Sequence, residues 1–107
     1  MNYLVVISTA SSEKEGQKIA KKLVEARLAA CVNVIPRVRS FFYWEGKLCE
    51  ENEALLLIKT TKNQFRPLIN KIKKIHSYAV PEIIGISLEG GERNYLNWVK
   101  KAVGRRE

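Results

Sequence analysis

Two long arms of β-forming sequence joined by one tight turn constrain this chain more than anything else in it. Ala30 to Trp44 is rich in Val, Ile, Phe and Tyr, Lys47 to Thr60 is a second strand-like run, and Glu45-Gly46 between them reads as a two-residue hairpin turn. Strands ordinarily run about 5–6 residues, so both arms outreach the sheet of a small domain. The tip is Phe41-Phe42-Tyr43-Trp44, and a chain of 107 residues has little surface with which to cover it. Either the arm bends back at Pro36, or the projecting strands pair with another copy of the chain, as unprotected edges do. Self-association is the expectation.

Outside the arms the hydrophobic period alternates between strand and helix. Tyr3 to Thr9 is a continuous apolar, β-branched run, the mark of a strand buried on both faces. Ser12 and Glu15 stand at capping-box spacing and open a helix whose Ile19, Ala20, Leu23 and Val24 share one side. A second helix fits Asn63 to Ile75 on the spacing of Phe65, Leu68, Ile69, Ile72 and Ile75, with Pro67 tolerable only near its start. Glu82 to Leu88 is a fourth strand, Gly90-Gly91 breaks it, and Tyr95, Trp98, Val99 and Ala102 mark a last helix. The order β-α-β-β-α-β-α predicts an α+β fold: a ferredoxin-like split βαβ sandwich with a long β-hairpin and an extra C-terminal helix. One domain over residues 1–107 is expected.

Counting outward from the turn, Val38 faces Glu53, Val34 faces Leu57 and Val32 faces Lys59, and a single bulge would shift these pairs. Glu53 and Lys59 have the same parity, so both project from one face. His76 is the only histidine and ends the second helix, where a charged imidazole would complement the helix dipole. The connection that follows, Ser77-Tyr78-Ala79-Val80-Pro81-Glu82, packs an aromatic, a rigid Pro and a carboxylate into a short loop, the kind of place where binding sites collect.

Composition excludes several function classes. The runs Leu4 to Ile7 and Leu28 to Val32 fall far short of the roughly 18 apolar residues of a membrane span. No basic, cleavable leader opens the sequence, so a cytoplasmic location is expected, with Cys31 and Cys49 as free thiols. The 19 Lys+Arg against 11 Asp+Glu give a net charge of +8, which invites a nucleic-acid partner. The excess is spread thinly, however, and neither inner strand carries the aromatic signature of an RNA-recognition domain, so nucleic acid is not the expected partner. No Cys-x-x-Cys or His-Glu-x-x-His spacing would preassemble a metal cage. The chain has no Asp for a Ser-His-Asp set, although Glu could substitute, and no glycine-rich phosphate cradle with an Arg after the first strand.

Five ordered blocks resemble the CutA divalent-cation tolerance family: Leu28-Ala29-Ala30-Cys31-Val32-Asn33, Tyr43-Trp44-Glu45-Gly46-Lys47, Lys59-Thr60-Thr61, His76-Ser77-Tyr78-Ala79-Val80-Pro81-Glu82 and Tyr95-Leu96-Asn97-Trp98. The resemblance implies a ferredoxin-like subunit in a tight homotrimer built through extended hairpins, related in architecture to PII signalling proteins. It implies a role in tolerance of copper (Cu2+) or another divalent cation, without an enzymatic reaction. It gathers Cys31, Trp44, Glu53, Lys59, Tyr78 and Glu82 as ligand-binding positions in a cleft between subunits, with His76 as the metal ligand. Some members are proposed to bind copper through a Cys in the first strand and a His pair before the loop; the matching positions here are Ser8 and Ile75-His76. Two further readings follow from the residues: a PII-like sensor of a small anionic metabolite, using Lys59 and the positive field, and a basic nucleic-acid-binding module.

Overall fold

The computed structural model describes residues 2–104; Met1 and residues 105–107 of the expected domain lie outside them. The first strand, β1 (Tyr3–Ala10), leads into α1 (Glu13–Glu25), then β2 (Cys31–Trp44), β3 (Lys47–Thr61), α2 (Phe65–Ile75), β4 (Ile83–Ser87) and α3 (Arg93–Ala102). The four strands form one antiparallel sheet in the order β2-β3-β1-β4. This is the expected split βαβ arrangement with an added helix.

The first and last helices begin where the chain supplies a side-chain cap. The Ser12 hydroxyl accepts the Glu15 N–H at 3.1 Å and the Glu92 carboxylate accepts the Tyr95 N–H at 2.8 Å. Lys62–Gln64 forms a 3-10 turn ahead of α2, so the second helix starts two residues later than the spacing predicts. Pro67 then falls in the first turn, where its missing N–H deprives the helix of no bond. The apolar stripe Ile19 and Leu23 of α1, with Leu68 and Ile72 of α2, packs on Leu4, Val6, Leu56 and Ile58 of the sheet, and these side chains are almost wholly buried. At about 25 cal/mol per Å² of apolar area, this one-sided sandwich is the main term holding the fold together.

The opposite face of the sheet is differently finished. Val5 and Ile7 of β1, Leu55 and Leu57 of β3, and Ile84 and Ile86 of β4 lie in register there. Ile84 and Ile86 are 51% and 49% exposed. Beyond the end of β1, where Ala10 pairs Ala54, the hairpin continues alone to the turn at Glu45 (φ 51°) and Gly46 (φ 79°), whose left-handed pair matches strand twist. Phe41, Tyr43, Trp44 and Leu48 are exposed on it.

Register along the hairpin follows the count only as far as Pro36. Val38 pairs Glu53 as expected, but the next pair is Ile35 with Leu55, leaving one extra residue in β2 at Pro36-Arg37. Proline has no N–H to give the ladder, so the strand slips there. The expected pairs Val34 with Leu57 and Val32 with Lys59 are therefore replaced by Val34 with Leu56, Val32 with Ile58 and Cys31 with Lys59.

Candidate functional site

Where the hairpin leaves the sheet, three segments meet: the β1–α1 turn, the loop after α2 and the bulged part of the hairpin. Glu15 ties two of them. One of its oxygens accepts from the N–H (2.8 Å) and hydroxyl (2.7 Å) of Ser11, and the other accepts the Ser77 N–H at 2.8 Å. Burial alone would raise this carboxyl, but the donors from Ser11 and Ser77 outweigh it and hold the pKa at about 2. The capping box legible at Ser12 and Glu15 is thus half formed, because Glu15 reaches back to Ser11 and across to the loop.

His76 is turned inward. Its Nε2 lies 2.7 Å from the Thr9 carbonyl, and its Nδ1 accepts the Tyr78 N–H at 3.0 Å. A carbonyl only accepts and a backbone N–H only donates, so these bonds define an Nε2–H imidazole with its Nδ1 lone pair already occupied. The side chain is 0% exposed, and its ring packs against Tyr78 at 4.7 Å between centroids. The expected charged cap of the α2 dipole is not what the ring forms. Metal ligation through His76 would require Tyr78 N–H or Thr9 O to give up its bond.

Tyr78 carries the contact onward. Its hydroxyl donates to the Glu53 carboxylate at 2.8 Å. Burial, that hydrogen bond and the charges of Glu53, Glu15 and Glu51 together push the phenol well above its ordinary pKa. Glu53 itself is 7% exposed.

The remaining expected positions divide between other places. Lys59 lies six residues along β3 from Glu53, about 20 Å at ~3.3 Å per residue, and hydrogen-bonds Asn33. Cys31 pairs across from Lys59 and contacts Tyr95 of α3, whose phenol is raised by burial and by that thiol. Trp44 is at the hairpin tip, and Glu82 is exposed just before β4. The chain therefore brings together Glu53, His76 and Tyr78, and leaves Lys59 with Cys31, Trp44 and Glu82 apart from them. Ser8 faces the core, fully buried, with its hydroxyl unbonded. Among the described residues no three His, Cys, Asp or Glu side chains come together in a way that could hold a metal ion, so the donors of one chain do not fit a resident metal. The residues that sequence reasoning missed are Thr9 and Ser11, whose contributions are a backbone carbonyl and a backbone N–H with a hydroxyl; only the Ser12/Glu15 spacing pointed near them.

A family model described as CutA1 divalent ion tolerance protein matches residues 4–102. The chain belongs to the CutA1 family. It is similar to the divalent-cation tolerance protein CutA of Thermus thermophilus, with 45% identity over 100 residues, 94% of this chain and 97% of that protein. It is also similar to the chloroplastic CutA of Arabidopsis thaliana, 39% identical over 92% of this chain but only 54% of that protein, so it spans about half the length of this plant relative. Among solved structures, CutA1 from Oryza sativa superposes with a TM-score of 0.95 at 35% identity, covering 99% of this chain and 97% of the other. The Thermus thermophilus structure gives a TM-score of 0.93 at 44% identity, covering 95% and 99%. No helix among the described residues of this CutA1 chain is long and apolar enough to cross a membrane.

Proposed function

We propose that this chain acts as a cytoplasmic, non-enzymatic homotrimer that contributes to divalent-ion tolerance, binding a divalent cation or a small ligand at the clefts between its subunits. The observation that carries the reading is the incompletely covered apolar sheet face, with half-exposed Ile84 and Ile86, continued by a hairpin whose tip exposes Trp44. Patches of that kind mark interaction surfaces, and antiparallel arms that outrun their own sheet suit pairing with copies of the same chain. The ligand part draws support from the buried Glu53 carboxylate at the root of the hairpin, beside that face. An anion-sensing cleft built on Lys59 and Glu53 together finds no support within one subunit, given their separation along β3.

Light scattering on the purified protein tests the assembly, with a mass of three chains expected across dilution; a stable monomer overturns it. Calorimetric titration with copper, zinc and magnesium salts tests the cation, with saturable binding by at least one of them expected. A trimer that takes up none of the three leaves the assembly standing and removes the metal.

A further inference from the structure

Glu53 is a carboxylate buried to 7% exposure whose one hydrogen bond comes from a neutral phenol. Among the described residues no Lys, Arg or His nitrogen lies within 4.0 Å of it. A buried carboxylate without a counter-ion is costly and in folded proteins is ordinarily paired. The surroundings are acidic on balance: Glu13 lies across the same hollow, Glu15 and Glu51 are near enough to act on Tyr78 by charge, and Arg37 is the one basic residue of the lining, beyond ion-pair distance of Glu53. In a chain of net +8 this is a local acidic niche, and Lys59, on the same face of β3 by parity, is at the far end of the strand.

The niche has room for a ligand. A cavity of about 480 Å³ opens on Glu53, with Ser11, Ser12 and Glu13 on one wall and Asn52 and the Pro36-Arg37 bulge on the other. That volume lies within the range of small-molecule sites, roughly 300–1,000 Å³. A metal ion would need several converging donors, whereas an ammonium or guanidinium group needs one carboxylate and a few neutral acceptors.

We propose that this hollow binds a small organic cation, an alkylammonium or guanidinium compound whose N–H groups donate to the Glu53 carboxylate. This rests on the ligand-binding part of the function proposed above and names its chemical class. The Tyr78 hydroxyl holds one carboxylate oxygen and leaves the other for the ligand, and the Pro36-Arg37 bulge forms the hairpin wall of the hollow.

The test is calorimetric titration of the full chain with n-butylammonium chloride and putrescine, against sodium succinate as the anionic control and magnesium chloride as the inorganic cation. Saturable binding of the amines, with none of succinate, is expected. Glu53→Gln, which keeps an acceptor for Tyr78, is expected to weaken amine binding at least tenfold. Arg37→Glu, at an exposed position of the lining, is expected to strengthen it several-fold by replacing the opposing charge with an acidic one, and this variant carries the test if Glu53→Gln fails to fold. Absence of amine binding, or equal affinity in wild type and both variants, overturns the proposal. Light scattering and the metal titrations on the same preparation separate the outcomes: a trimer that binds divalent ions and no amine ends this inference alone, whereas a monomer ends the assembly it rests on.

Discussion

The Tyr78 hydroxyl donates to Glu53 at 2.8 Å and so joins the loop after α2 to the root of the hairpin, two segments 25 residues apart in sequence. Removing that donor leaves a nearly buried carboxylate without a partner. Tyr78→Phe is therefore expected to destabilise the protein by about 1–3 kcal/mol, read from denaturant midpoints. In the double variant with Glu53→Gln the losses should fall short of additive, since the two side chains share one interaction. Strict additivity would show that the bond contributes nothing.

Glu15 makes stability depend on acid pH. Its folded-state pKa, about 2, lies below the ordinary 4.5, so its contribution is fully present above about 4.5 and is lost as pH falls through that value toward 2. The integrated effect is on the order of 2–3 kcal/mol. Denaturant midpoints measured from pH 5 to pH 2 should fall more steeply for wild type than for Glu15→Gln. The variant should already be weaker at neutral pH. Parallel curves would place the pH response elsewhere.

Gly46 sits at φ 79° in the turn that closes the hairpin. A Cβ there meets no atom within 4 Å, so Gly46→Ala isolates backbone conformation from packing. A side chain in the left-handed region costs about 1–2 kcal/mol. Unfolding midpoints should drop by that amount, and an unchanged midpoint would mean the turn relaxes to another type.

What the sequence made legible was periodic or local. Ile19 and Leu23, Leu68 and Ile72 announce their helices because burial repeats with the helical period, and Glu45-Gly46 announces its turn because few dipeptides take positive φ twice. Pro36 was visible as a place where β2 could bend, but the direction of the slip depends on which partner carbonyl loses its donor, and that moved Cys31 opposite Lys59. Glu53 and Lys59 share a face as parity requires, yet parity carries no distance, and six residues of extended chain put them at opposite ends of it. The inward turn of His76 was not legible because its partners are the Thr9 carbonyl and the Tyr78 N–H, backbone groups that every residue type supplies.

His76 provides the sharpest separation between a structural and a ligand-binding role. The ring bridges Thr9 O to Tyr78 N–H with none of its surface exposed, and truncation strands both groups. His76→Ala is expected to cost on the order of 2–4 kcal/mol, one unsatisfied donor and one unsatisfied acceptor at about 1–2 kcal/mol each. Because Tyr78 is positioned by that ring, its bond to Glu53 should loosen as well, and the Tyr78→Phe change should cost less in the His76→Ala background than in wild type. The competing role, a copper ligand, predicts a different pair of results: tight copper binding in wild type that disappears in His76→Ala, with little change in unfolding midpoint without metal. Measuring both quantities on the one variant decides the matter, since a strut lowers metal-free stability and a ligand lowers affinity. A large stability loss with copper affinity unchanged assigns the ring to the architecture of the loop.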